Sequence, residues 1–360
     1  MTQPAIKRRR WLRYSMRTML VAVTLLCLVL ALVVVPAERQ RRAVEKIRRL
    51  KYASFVTYDY QYRGDYDWGA ELRGPAWLRR WVGDDYFQDI VYAHVQLDRG
   101  DELTPDDLAA LRGLRHLAAL NMPFADDGML ALSRLKRLEA LYLSSNKISD
   151  GGLEHLSTLT ELKLLGVSSD QITGEGLIGL QVAGKLKWLD VRSNRVTFRG
   201  MEAVAQLTSL ERLSVHSDSL TDECLKPLSK LTSLRSLTIA GRDYSADAPK
   251  GVTDAGIQYI VRLANLEDLK LISLDITDAG LSHLGKLQRL RSLDIANDQP
   301  MYTEDGIAAL QDQLPNLRVK HSAWKPIRGK PVGITFEAVP KSSRTSVAPK
   351  ENAPDSEKAR

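Results

Sequence analysis

The residues that could act as metal ligands or as acid–base catalysts are the histidines and the paired carboxylates. None of the histidines has a metal-binding spacing such as His-Glu-x2-His; the six lie at positions 94, 116, 155, 216, 283 and 321. Two of the acid pairs, Asp106-Asp107 and Asp126-Asp127, are expected at helix starts, where acids stabilise the helix dipole. We therefore predict no catalytic residue, no cofactor, no metal and no enzymatic activity.

A second group of residues has the chemistry of a binding surface. Aromatic and charged side chains alternate with hydrophobic ones in segments that recur along the chain. Trp188 is the most informative, because an exposed tryptophan often anchors an interface. The alternative is that each is an ordinary solvated strand residue. The candidate partner-binding residues are Tyr142, Trp188, Asp190, Arg192, Arg212, His216, Asp268, Lys270 and Asp294.

A repeat of about 24 residues sets the position of these side chains. One unit reads Leu138-x2-Leu141-x-Leu143-x2-Asn146-x-Ile148-x3-Gly152-Leu153-x2-Leu156. Its Leu-x-Leu part has the two-residue period of a strand, and its Gly-Leu part has helical spacing. The Thr or Asp before the helix, as in Thr253-Asp254 and Thr277-Asp278, is predicted to be its N-cap. Stacked units would share one continuous core.

A polar position follows each predicted strand. It is predicted to bond the backbone at the turn that leaves the strand, which is a structural role. The residues at this position are Asn146, Asp170, Asn194 and Asp218.

This pattern resembles the leucine-rich-repeat family, in the variant with Ile-Thr-Asp-x-Gly-Leu turns, over about residues 91–320. The resemblance implies an α/β solenoid of about nine repeats of about 24 residues. Parallel strands would form the concave face and short helices the convex face. For function it implies binding to another macromolecule, since the family shares binding and not one reaction.

Two segments depart from the repeat. Gln181-Val182-Ala183-Gly184 replaces the usual leucine spacing, which should loosen the helix there. An insertion at 241–250 makes Arg242, Asp243 and Tyr244 a candidate binding loop. A neutral insertion is the equal alternative.

Thr18–Ala37 is an uncharged apolar run, long enough to cross a membrane as a helix. Six basic residues and the aromatic residues Trp11 and Tyr14 precede it, which is typical of a membrane anchor. A cleaved signal peptide is the alternative, but Pro36 is unfavourable beside the cleavage site. Strong positive charge on both flanks leaves the orientation undecided; we place the N-terminus inside and the repeats outside the cytoplasm.

The charge distribution argues against a nucleic-acid partner. The net charge of +7 comes from residues 1–51, which have 13 Lys or Arg and two acids and therefore carry +11. The other 309 residues carry 7 − 11 = −4. A mildly negative body offers no surface for a phosphate backbone.

The sequence divides into six segments. Twelve of the 23 aromatic residues lie at 52–92, and we interpret them as a cap over the first repeat, with a ligand platform as the alternative. Val332, Ile334 and Phe336 alternate and suggest a last capping strand, followed by disorder from about Lys341. The segments are a basic tail at 1–17, a transmembrane signal anchor at 18–37, a basic juxtamembrane helix at 38–51, the aromatic-rich cap at 52–102, the repeats at 103–320 and a largely disordered tail at 321–360.

Three functions fit these features. The first is a single-pass membrane protein whose concave face binds an unknown protein or envelope polymer. The second is a structural envelope scaffold that associates with its own copies. The third is a recruiter or regulatory subunit in the cytoplasm.

Overall fold

The computed structural model describes residues 16–50, 54–58, 75–97, 103–111, 113–121, 125–241, 251–297, 300–327 and 330–338. Within them, twelve strands form a single sheet in the order in which they occur in the sequence. The strands are β1 (Phe55–Tyr58), β2 (Ile90–Gln96), β3 (His116–Leu120), β4 (Ala140–Ser144), β5 (Leu164–Ser168), β6 (Trp188–Arg192), β7 (Arg212–His216), β8 (Ser236–Ala240), β9 (Asp268–Ile272), β10 (Ser292–Asn297), β11 (Arg318–Ile327) and β12 (Lys330–Ala338).

Strands β2 to β11 are parallel, and each pairs with the next in register. The predicted solenoid is therefore confirmed. The leucine or valine pair of each repeat points inward, as Leu213 and Val215 do on β7, and these side chains belong to one continuous core. The side chains that alternate with them point away from the core and make up the concave face.

Short helices run on the opposite side of the core. They bury the glycine–leucine part of each repeat, as Gly280 and Leu281 show. The α-helices are α1 (Met16–Val29), α2 (Val35–Arg48), α3 (Ala76–Val82), α4 (Pro105–Ala109), α5 (Asp126–Leu132), α6 (Asp150–Glu154), α7 (Phe198–Val204), α8 (Asp222–Leu225), α9 (Asp254–Ile260), α10 (Asp278–Leu284) and α11 (Glu304–Gln313).

The predicted threonine caps are confirmed, and each also binds the preceding repeat. The Thr277 hydroxyl accepts a hydrogen bond from the amide of Ala279. The same hydroxyl and the Thr277 amide both donate to the carboxylate of Asp254, at 2.6 and 2.9 Å. Asp126, Asp150, Asp222 and Asp278 hold the Ser or Thr of the following repeat in the same way. We call this row of carboxylates the aspartate ladder.

The prediction for the polar position after each strand was wrong by one residue. Asn146, Asp170, Asn194 and Asp218 are all exposed. The serine before each of them is buried instead, and its hydroxyl bonds the backbone; Ser169 Oγ, for example, donates to the carbonyl of Ile148 in the preceding repeat at 2.6 Å. A small hydroxyl fits this tight turn, so the longer polar side chain is left in solvent.

The irregular segment predicted at 181–184 lies at the end of a helix, Glu175–Ala183, that is 3-10 from its first residue, whereas the neighbouring repeats begin with a short α-helix. Its first turn also lacks the ladder aspartate, because Gly174 occupies that position. The amide of Thr197 in the next repeat donates instead to the carbonyl of Thr173, at 3.1 Å. The helix of this repeat therefore differs in type, and its predicted loosening stays a prediction.

The N-terminal end of the core is closed by helix α2. A π-helical turn, Leu30–Val34, joins α1 to α2, so that Met16–Arg48 is one helix. Ala37, Ala43, Val44 and Ile47 are buried, and Lys46 forms an ion pair with Asp107 of α4 at 2.8 Å. The basic segment that was predicted only to leave the membrane therefore packs on the first repeat. Strand β1 pairs antiparallel with β2 beside it.

The C-terminal end is closed by β12, which pairs antiparallel with β11. The predicted capping strand at Val332, Ile334 and Phe336 is therefore confirmed. The region from Lys341 onward, where disorder was predicted, lies outside the described residues.

Candidate binding surface on the concave face

The structure brings the nine predicted concave-face residues together across strands β4 to β10. Tyr142 borders a shallow depression together with Asp190 and Arg192. Asp294 forms an ion pair with Lys270. The others line an open groove of about 530 Å³, and they are Trp188, Asp190, Arg192, Arg212, His216, Asp268 and Lys270.

The candidate loop residues Arg242, Asp243 and Tyr244 lie outside the described residues. The prediction that the loop contributes to binding therefore stays a prediction.

Trp188 is the centre of an aromatic and cationic cluster. The guanidinium carbon of Arg212 lies 5.5 Å from the centre of its ring, which is a cation–π distance. The Tyr142 ring meets it edge to face, with 6.4 Å between centroids and 90° between planes. Trp188 was expected to be exposed, and it is half-buried by these neighbours. Its indole is thus held in one orientation before any partner arrives.

Gly166, on the strand between Tyr142 and Asp190, makes this arrangement possible. A Cβ atom at Gly166 would lie 2.3 Å from the Tyr142 ring, so no larger residue fits there without moving the ring. The absence of a side chain on β5 therefore lets Tyr142 lie across that strand toward Trp188. No role for this glycine was predicted from the sequence.

Asp190 carries an acceptor that the described residues do not use. Its Oδ2 atom forms a 3.4 Å ion pair with Arg192 on the same strand. Its Oδ1 atom is buried and receives no hydrogen bond from the described part of the chain. Burial, together with the Asp190 charge, raises the pKa of Tyr142, so the phenol stays protonated. A partner with an N–H or O–H donor would satisfy Asp190.

His216 lies at the groove wall, with its Nε2 atom 2.9 Å from the Ser214 hydroxyl. Burial lowers the pKa of His216, and the positive charge of Arg192 lowers it further. The ring is therefore neutral near pH 7 and can both donate and accept a hydrogen bond.

Charge on the groove is balanced. Lys270 Nζ lies 3.1 Å from Asp294 Oδ2 on the next strand. Among the nine predicted residues, three cations (Arg192, Arg212 and Lys270) face three acids (Asp190, Asp268 and Asp294). A surface with both signs and aromatic side chains matches a folded protein or peptide better than a uniformly charged polymer.

A row of ion pairs borders the groove at the residue before each strand. Glu139 contacts both Arg115, at 2.7 Å, and Lys163, at 2.6 Å. These cations outweigh the effect of burial and lower the pKa of Glu139. Pairs Lys187–Glu211 at 2.8 Å and Arg235–Glu267 at 2.6 Å continue the row. Each pair joins successive repeats, so the row favours the observed register.

A second aromatic cluster, at the N-terminal strands, joins Phe55 and Tyr92 of the aromatic segment at 52–92 to His116, which was not among the candidate binding residues. Phe55 on β1 stacks on Tyr92 and on His94, with centroids 5.6 and 5.7 Å away. Tyr92 meets His116 edge to face at 6.2 Å. Tyr92 and His116 occupy the same strand position as Trp188, at multiples of 24 residues. The 24-residue period would have predicted Tyr92 and His116 as concave-face residues if the first strand had been placed at residue 90.

Metal binding has no support in the described part of the chain, where no three His, Cys, Asp or Glu side chains form a group that could hold an ion.

Comparison with known proteins finds similar architectures among solved structures. Internalin C2 of Listeria monocytogenes is 22% identical, over 62% of this chain and 85% of that one, with a TM-score of 0.41. A leucine-rich-repeat protein of Leptospira interrogans is 17% identical over 59% and 56%, with a TM-score of 0.38. The internalin InlF of Listeria monocytogenes is 18% identical over 64% and 82%, with a TM-score of 0.32. No family model and no curated protein matches the sequence.

The class of protein follows from the geometry of the chain itself. Parallel strands recur in register at intervals of 24 residues over most of the array, and each is followed by a short helix that shares the core. The architecture is a leucine-rich-repeat solenoid with an N-terminal apolar helix. Proteins built this way typically serve as scaffolds for protein binding.

Proposed function

We propose that this protein is a non-catalytic, membrane-anchored leucine-rich-repeat protein that binds another protein through the groove around Trp188. The cluster of Trp188, Arg212 and Tyr142 carries the proposal. Tryptophan, tyrosine and arginine are the residues most enriched at energetic centres of interfaces. Here they are already packed against one another, so binding would cost little side-chain entropy.

The unused acceptor of Asp190 supports the same site. A buried carboxylate oxygen without a donor is unfavourable, and a donor from a partner would remove that penalty. The balanced charge of the groove favours a protein surface of mixed charge over an anionic polymer. An envelope polymer rich in hydroxyl groups is the alternative ligand.

We propose that the apolar helix is retained as an anchor, with the repeats outside the cytoplasm. Residues of α1 are exposed throughout, so no part of the described solenoid covers them. Helix α1 continues into α2, whose buried face is part of the solenoid core. Cleavage near Ala37 would cut into the segment that closes this core, which argues for retention.

The binding proposal is tested by site-specific photo-crosslinking in cells. A photoreactive amino acid replaces Lys270, exposed beside the groove, or Phe198, exposed on convex helix α7. We expect a discrete adduct with a second protein only from position 270. Adding Trp188→Ala should abolish that adduct, whereas Lys226→Ala, on the helical side, should not.

Two other outcomes would contradict the proposal. An adduct made only of two copies of this chain would favour a self-associating scaffold. Equal adducts from both faces, or none, would remove the groove as the binding site.

The location is tested separately by digesting cells whose outer layer alone is permeabilised. Protection of the repeats would place them in the cytoplasm and favour the recruiter.

A further inference from the structure

The solenoid begins where the apolar helix ends. Helix Met16–Arg48 is continuous, and its residues are exposed up to Val33. Ala37 is already fully buried, and from Ala43 onward the buried residues of α2 belong to the solenoid core. If residues 18–37 hold the anchor, the first repeat therefore lies at the membrane surface with no flexible linker between them.

Residues 84–88 are fixed to this junction. The side-chain amide of Gln40 donates to the carbonyl of Gln88, at 3.1 Å. Helix α2 also packs against the short 3-10 turn Asp84–Tyr86. Gln40 is three residues beyond Ala37, or about 4.5 Å along the helix at 1.5 Å per residue. This segment is thus within one helical turn of the end of the apolar run.

Helix α3 leads into that segment and carries two tryptophans. Arg79 of α3 forms a 3.4 Å ion pair with Asp84, which holds the helix to the segment. Trp77 and Trp81 are four residues apart and so lie on one face of the helix. Their exposed fractions are 68% and 87%. These are the two most exposed aromatic side chains among the described residues whose burial is recorded.

We infer that Trp77 and Trp81 insert into the lipid–water interface of the bilayer that holds residues 18–37, an inference that rests on the proposed anchoring. Tryptophan is enriched at this interface, because its ring is apolar and its N–H remains hydrated. The interfacial zone extends roughly 5–8 Å beyond the hydrocarbon core on each side. Helix α3 is tied through Asp84 to residues within a turn of the apolar run, which brings it near this zone.

The second contact has a mechanical consequence. A single helix would let the solenoid rotate about the helix axis. Two contacts with the same bilayer fix the rotation and tilt of the first repeat, and the rigid stack transmits this to the whole concave face. The groove around Trp188 would then face a defined direction relative to the membrane.

Tryptophan fluorescence of the full-length protein in phosphatidylcholine vesicles tests the inference. The vesicles contain lipids brominated near the headgroup end of the acyl chain, which quench only by contact. Subtracting the emission of the Trp77→Phe/Trp81→Phe variant from that of the wild type gives the emission of this pair. We expect that difference to be blue-shifted, lost in brominated lipid, and insensitive to acrylamide in water.

Trp188→Phe is the matched control, since Trp188 lies on the concave face. Its difference emission should be unaffected by brominated lipid. A pair emission that acrylamide quenches and bromine does not would overturn the inference, as would protection from both quenchers, which would indicate a second copy of the chain. Alkaline carbonate extraction separates the two proposals: a protein that stays in the membrane with an unquenched pair refutes only the tryptophan contact, whereas extracted protein refutes the anchor.

Discussion

The guanidinium of Arg212 lies over the indole of Trp188 at 5.5 Å, although the two residues are 24 positions apart in the chain. They are direct partners in the pairing of β6 with β7. The same register places every concave-face residue beside its counterpart in the next repeat. The binding surface is therefore built from columns that run across the strands, and a substitution in one repeat is felt by its neighbours.

Arg212→Ala should expose the Trp188 ring. Loss of the cation–π contact is expected to lower the free energy of unfolding by about 0.5–1 kcal/mol. Acrylamide quenching of Trp188, measured as the difference from Trp188→Phe, should increase. Arg199→Ala, an exposed arginine on helix α7, is the control and should change neither quantity. Unchanged quenching in the Arg212 variant would argue against the stacked arrangement.

Asp254→Ala should break one rung of the aspartate ladder. Two charge-assisted hydrogen bonds to Thr277 are lost, and the variant should lose about 1.5–3 kcal/mol of stability to urea unfolding. Glu223→Ala provides the comparison, because Glu223 is an acid in the first turn of α8 but is exposed. If both variants lost equal stability, the ladder bonds would have no special weight.

Leu213→Ala should leave a cavity in the core. Leu213 is 2% exposed and belongs to the continuous cluster, so the expected loss is about 2–5 kcal/mol. Thermal unfolding of the purified full-length protein measures it, with Lys226→Ala as the exposed control in the same repeat. A melting temperature equal to that of the wild type would count against the assigned register.

Stability should depend on His216 below pH 6.5. The folded pKa is lowered from 6.5, so the unfolded chain binds the proton more readily. The stability that the neutral His216 ring contributes is complete above pH 6.5 and is lost as the pH falls through the folded pKa. His216→Gln should flatten that part of the stability profile. Burial is the largest cause of the lowered pKa of His216, Arg192 and Lys270 lower it further, and the negative charge of Asp190 acts against them.

Burial also lowers the pKa of His116, so this residue provides a second test of the same effect. Replacing His116 together with His216 should flatten the profile further than either change alone. If the free energy of unfolding of the His216→Gln variant changed with pH as steeply as that of the wild type, the His216 ring would not lose solvation in the folded state.

Much of the fold was predictable, because the same spacing of hydrophobic residues recurs many times along the chain. The Leu-x-Leu spacing gave the strands, Thr277 and its equivalents gave the helix caps, and Trp188 was found by its type and its register. The errors arose where the packing of side chains, and not their spacing in the sequence, determines which residue is buried. Asn146 and Ser145 are both polar neighbours at a turn, and only packing decides that the smaller side chain is inside.

The Asp-x-Gly motif shows most directly what each level determines. By itself the sequence established the period, the solenoid class and the apolar helix, because hydrophobic spacing is local. It could not explain why a glycine stands two residues after four of the five ladder aspartates, the exception being Cys224 after Asp222. In the structure, a Cβ atom at Gly280 would lie 2.1 Å from the carboxylate of Asp254, in the preceding repeat. Which residues of neighbouring repeats contact one another depends on how the repeats stack. The aspartate ladder, the groove and the packing of helix α2 on the first repeat could therefore be found only in the tertiary structure.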